Sequence, residues 1–137
     1  MFTDNIKDMG TNEDNYNVTI LIAEDEESNF LLLKTILKRH CNVLQARTRL
    51  ELLKVFAEKG ADLILLDIKM PEMNGIEALK EIRKKDTNIP IIMQSAYAFE
   101  NDMEAARAAG SNGFITKPIN IVELKKTISK FLPQIIW

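Results

Sequence analysis

Along most of the chain, short apolar runs alternate with longer segments of helical period. VTILIA (18–23), NVLQA (42–46), DLILLD (62–67), IPIIMQ (89–94) and FIT (114–116) have the length and make-up of buried strands. Between them, SNFLLLKTILKRH places Phe30, Leu33, Ile36 and Leu37 on one helical face, with Ser28 as the expected N-cap. TRLELLKVFAEKG predicts a helix capped at Thr48 and stopped at Gly60. GIEALKEIRKK sets Ile76, Leu79 and Ile82 on a stripe, FENDMEAARAAG predicts a helix ending at Gly110, and INIVELKKTISKFL predicts the last one.

Strands and helices that alternate across short connections imply an α/β fold, a parallel sheet with helices on both faces. The strands lack strict alternation, as expected when both sides are buried. Residues 1–17 are polar and aperiodic, which predicts a flexible tail or linker. One domain is expected over 18–133, with 134–137 as a C-terminal tail.

Composition narrows the class. An apolar content of 46% with 28% charged residues describes a soluble globular domain. A net charge of -2 gives no basic field for nucleic acid or an anionic membrane surface. One cysteine, Cys41, excludes an internal disulfide and a thiolate metal site; it reads as a small buried apolar residue in a reducing, cytoplasmic setting. No apolar stretch approaches the roughly 20 residues needed to span a bilayer.

In an open parallel sheet, ligands bind beyond the carboxyl ends of the strands. Those ends carry Glu24 and Asp25, Asp67, Ser95, and Lys117 followed by Pro118. If the first and third strands are neighbours, three carboxylates converge and repel one another unless a cation compensates. A hard divalent ion such as Mg²⁺ suits oxygen ligands of this kind. With the Lys117 ammonium and the Ser95 hydroxyl, the set suits a phosphoryl group in transit, and Asp67 would be its covalent acceptor. Each residue alone has a plainer reading. Asp67 would be a turn residue, Lys117 a surface lysine, and Glu24 to Glu27 a solvated helix N-terminus. Pro71, Asn74 and Gly75 read as loop punctuation around Asp67. The one histidine, His40, is placed at a helix C-terminus, where it complements the dipole rather than serving a phosphohistidine relay.

The motifs ILIAEDEE, LILLDIKMPEMNG, IIMQSAYA and FITKPI, in that order at four strand ends, resemble the receiver domain of two-component response regulators. The resemblance implies a flavodoxin-like sheet of order 2-1-3-4-5. It implies Asp67 as phosphoacceptor, with the phosphoryl group drawn from the phosphohistidine of a sensor histidine kinase or a histidine phosphotransfer domain. Glu24, Asp25, Asp67 and the Lys69 backbone carbonyl would hold Mg²⁺, or Mn²⁺ in its place. Ser95 and Lys117 would bind the phosphoryl group, Ser95 and Phe114 would form the switch, and the bond to Pro118 would be cis. A monomer or weak dimer is expected, without direct contact to nucleic acid or membrane.

Several positions depart from the family pattern. Glu24 stands where aspartate is commoner, and Phe114 lacks the hydroxyl of a tyrosine. Lys69 brings a cation to the rim of the site, to pair with Glu24 or to shield an acyl phosphate. Asn112 and Gly113 stand where one subclass carries dimer-forming acids. AYAFEND and ITKPI resemble receivers of hybrid sensor kinases, so the parent is either such a kinase or a stand-alone regulator. The rival readings are an aspartate-nucleophile phosphatase, disfavoured by Lys69 at the usual general-acid position, and a degenerate receiver that only binds partners.

Overall fold

The computed structural model describes residues 16–70, 73–96 and 100–137. Five strands, β1 (Thr19–Ala23), β2 (Asn42–Ala46), β3 (Leu63–Asp67), β4 (Ile91–Ser95) and β5 (Gly113–Thr116), form one sheet of order β2-β1-β3-β4-β5. All four pairings are parallel. Helices α1 (Glu27–Leu37), α2 (Arg49–Lys59), α3 (Gly75–Lys85), α4 (Glu100–Ala109) and α5 (Ile121–Phe131) complete the chain. The expected α/β architecture and strand order are present.

Alternate strand residues feed two cores. Ile20, Ile22, Leu63, Leu65, Ile92 and Ile115 pack with Phe30, Leu33 and Leu37 of α1 and with Leu124 and Ile128 of α5. Leu21, Ala23, Ile64, Leu66, Ile91 and Met93 pack with Leu52 of α2, Leu79 and Ile82 of α3 and Ala106 of α4. Each fully buried Leu or Ile contributes about 1.5–3 kcal/mol relative to an exposed one. Cys41 is buried in the first core, and burial pushes its thiol up to about 12. No helix among the described residues is long and apolar enough to cross a membrane.

The helix ends confirm some expectations and correct others. Thr48 caps α2 through Glu51 N, and Gly60 ends it at φ 69°. Ser28 is not the cap of α1, because the helix starts at Glu27 and Glu26 occupies the cap position. The cause is local: Glu24 Oε2 accepts from Glu26 N–H at 3.1 Å, which fixes the turn two residues earlier. His40 lies beyond the end of α1, not in its last turn. Its Nδ1 is 2.9 Å from the Ile136 carbonyl, and its ring meets Trp137 edge-on at 4.9 Å. A packed structural residue explains it. Pro90 precedes β4, where its carbonyl accepts from Ile64 N–H. Pro71 and residues 97–99 of AYAFEND, together with most of the 1–17 segment, lie outside the described residues.

Candidate functional site

Ladder hydrogen bonds run one residue past the strand tips and fix the polar residues there. Glu24 N donates to Ala46 O, Ile68 N to Gln94 O, and Lys117 N to Ser95 O, at 3.0, 3.0 and 2.8 Å. Glu24, Asp25, Asp67, Lys69, Ser95 and Lys117 all line one cavity of about 360 Å³ at the carboxyl edge of the sheet. The structure thus brings together six residues singled out from the sequence. Phe114 is elsewhere, in a separate cavity of about 250 Å³ with Met103 and Arg107 of α4.

Within the site, the Lys117 ammonium donates to Asp67 Oδ2 at 2.8 Å and to Glu24 Oε1 at 2.9 Å. The side chains of Glu24 and Asp67 are 1% and 7% exposed, so this bridge is buried rather than a surface ion pair. Burial pushes the Glu24 carboxyl above its ordinary value against the Lys117 hydrogen bond, and the charge of Asp67 adds to the rise. Burial pulls Lys117 down, but the hydrogen bonds and charges of Asp67 and Glu24 outweigh it, so the ammonium is held charged. With its oxygens taken by Lys117 and Glu26 N–H, Glu24 is a buried anchor for the lysine. Lys69 is exposed at the rim, and its backbone N–H donates to Asp67 Oδ1 at 3.0 Å. The Lys117–Pro118 peptide is cis.

The donor set fits a hard cation. One oxygen each from Glu24, Asp25 and Asp67 lie within 4.8 Å of one another, two of the residues are buried, and neither sulfur nor imidazole is among them.

Two supporting residues were missed as such in the sequence. Asn74 is the N-cap of α3, its Oδ1 accepting from Ile76 N–H at 2.8 Å. Gly75 donates to Ile68 O at 2.7 Å and lies directly on the backbone of Asp67 and Ile68. The residue types hinted at a turn, but the close approach depends on a short antiparallel ribbon between 69–70 and 73–74. No periodicity announces so short a pairing.

A doubly wound sheet with an aspartate, an acidic pair and a lysine at its carboxyl edge defines a class of signalling domain, and comparison with known proteins agrees. Residues 20–129 match the response regulator receiver domain family, and the chain belongs to it. It is 33% identical over 117 residues to the polar-differentiation response regulator DivK of Brucella anthropi, covering 83% of this chain and 95% of that protein. A CheY-like receiver domain protein of Methanospirillum hungatei superposes with a TM-score of 0.80 at 30% identity, over 85% of this chain and 94% of that one. The receiver domain of the sensor histidine kinase PA1611 from Pseudomonas aeruginosa, which has a magnesium ion coordinated in its active-site cleft, gives a TM-score of 0.78 at 26% identity. That match covers 86% of this chain and 99% of the other.

Proposed function

We propose that the chain takes a phosphoryl group from a phosphohistidine onto Asp67 and thereby switches its binding to a partner. The observation that carries this reading is the buried Asp67 carboxylate held at 2.8 Å by the partly buried Lys117 ammonium, in one cavity with Asp25, Glu24 and Ser95. In the transfer, an Asp67 oxygen attacks phosphorus, the bond from phosphorus to the imidazole nitrogen breaks, and an acyl phosphate forms. Asp25, Asp67, Glu24 and the Lys69 carbonyl would hold Mg²⁺, which when bound neutralises charge on the phosphoryl oxygens.

The chain's own groups do the rest. Lys117 follows the negative charge from the carboxylate to the phosphoryl oxygens, and the Ser95 hydroxyl donates to the same group. That shift passes to Phe114 and biases an existing equilibrium at the face formed by α4, β5 and α5. Chemistry is confined to gain and hydrolysis of its own phosphoryl group. The donor is a sensor histidine kinase or histidine phosphotransfer domain, in the cytoplasm, and residues 18–133 form the functional unit. Similarity to DivK over 95% of that protein supports a stand-alone regulator. Similarity to the PA1611 receiver supports the second reading, a domain of a hybrid kinase.

Intact mass after incubation with acetyl phosphate and Mg²⁺ tests the proposal. The unaltered chain should gain one phosphoryl group and Asp67→Asn none; labelling of both, or of neither, would sink it. In the same assay Lys69→Ala should lose its label faster, because a rim cation that shields the acyl phosphate from water is gone. An unchanged lifetime would remove that role.

A further inference from the structure

Gln94, on β4, is 2% exposed, and its Nε2 has no hydrogen-bond partner among the described residues. Its place in the sheet says which groups surround it. The Cα partner of Gln94 is Asp67 on β3 and Ile115 on β5. Ile22, Leu65, Ile92 and Ile115 all face the α1–α5 core. Side chains two residues apart share a face of a strand, so Glu24, Asp67 and Gln94 continue those columns into one row level with Ile115, and Lys117 follows on the same face two residues further along β5. An uncharged amide stands between the phosphoacceptor and the strand that supplies the lysine.

Lys117 is at the end of β5, yet its ammonium lies on Asp67 and Glu24. Two strand spacings, about 9.6 Å, separate β5 from β3, with β4 between them. The lysine side chain therefore reaches past the end of β4 to meet Asp67, the register partner of Gln94. A buried donor without an acceptor costs free energy that an apolar side chain of the same shape would not.

We propose, resting on the reading of Asp67 as phosphoacceptor, that Gln94 is a positioning residue for the phosphorylated state. When the ammonium follows the negative charge onto the phosphoryl oxygens, the Asp67 carboxyl oxygen it leaves takes the Gln94 Nε2–H instead. The amide is unsatisfied before phosphorylation and satisfied after it. Gln94 thus favours the phosphorylated arrangement from beneath the site.

Magnesium beryllofluoride, a phosphoryl mimic, tests this on the full chain. Gln94→Met should unfold at a higher temperature than the unaltered protein without ligand, because the orphaned donor is gone. It should bind beryllofluoride more weakly by about five- to tenfold, the worth of one hydrogen bond. Its affinity for Mg²⁺ alone should stay as it was, a separation that a loss of packing would not give. Beryllofluoride affinity within twofold of the unaltered protein, or a parallel fall in Mg²⁺ affinity, overturns the proposal. If the variant does not fold, exchange of the Gln94 side-chain amide protons in the unaltered chain decides. Exchange should slow on adding beryllofluoride, and unchanged exchange overturns the inference. Beryllofluoride binding that depends on Asp67 upholds the phosphoacceptor reading whatever Gln94 does; no binding to the unaltered chain removes both.

Discussion

At Gly75 the site and the fold press on the same backbone. A Cβ there would lie against the Asp67 carbonyl oxygen and 2.8 Å from Ile68 Cα, both main-chain atoms that cannot rotate away. Gly75→Ala should therefore cost about 1–3 kcal/mol, as over-packing against rigid neighbours does. The same displacement would move Asp67, so phosphorylation by acetyl phosphate should slow as well. Urea unfolding of both proteins checks the stability, and an alanine variant as stable as the parent would refute the contact. The sequence carried the residue types at this loop but not their reason. A glycine after PEMN reads as a turn, and only the fold shows that it is the first residue of α3 seated on the carbonyl of Asp67, the proposed phosphoacceptor.

Between elements, Arg83 binds the end of α3 to the turn that leads from α4 into β5. Its Nε and NH2 donate to Gly110 O at 3.0 and 2.8 Å, NH2 also to Asn112 Oδ1 at 2.8 Å, and NH1 to Asp86 O at 3.1 Å. Asn112 Oδ1 accepts from Ile91 N–H too, so the clamp reaches the first residue of β4. A lysine cannot make this fork, and Arg83→Lys should lose about 1–3 kcal/mol, nearly as much as Arg83→Ala. Amide exchange over 109–113 should rise more than elsewhere; full rescue by lysine would show that charge alone matters. This clamp was not legible in the sequence, because its partners are up to 29 residues apart and Asn112 was notable there only as a missing acid. The row of strand ends was legible for the opposite reason. A parallel sheet brings every carboxyl end to one edge, so listing those ends listed the site without any knowledge of side-chain direction. The start of α1 failed because Glu24, a residue of the candidate site two positions before the cap, sets it by accepting from Glu26 N–H, and cap preference at Ser28 does not compete.

For the molecule as a whole, two apolar cores hold up an edge that is electrostatically costly. Glu24 and Asp67 are buried there with Asp25 beside them, and the described cation bridging the two buried acids is the partly buried Lys117. Breaking a buried pair by removing one partner costs about 3–5 kcal/mol, because the remaining charges stay desolvated. Lys117→Met keeps the length and apolar stem of the side chain and deletes only the ammonium, so Glu24 and Asp67 lose their counter-charge. The variant should be destabilised on that scale in the presence of a chelator. Saturating Mg²⁺ should stabilise it more than it stabilises the unaltered protein, since a cation that binds only the folded state adds its binding free energy and here also replaces the missing charge. Thermal unfolding of both proteins with and without Mg²⁺ measures the two differences. Equal magnesium shifts in the two proteins would mean that the ammonium and the metal do not answer to the same carboxylates, and the row Glu24–Asp67–Lys117 would then be a structural bridge set apart from the metal site.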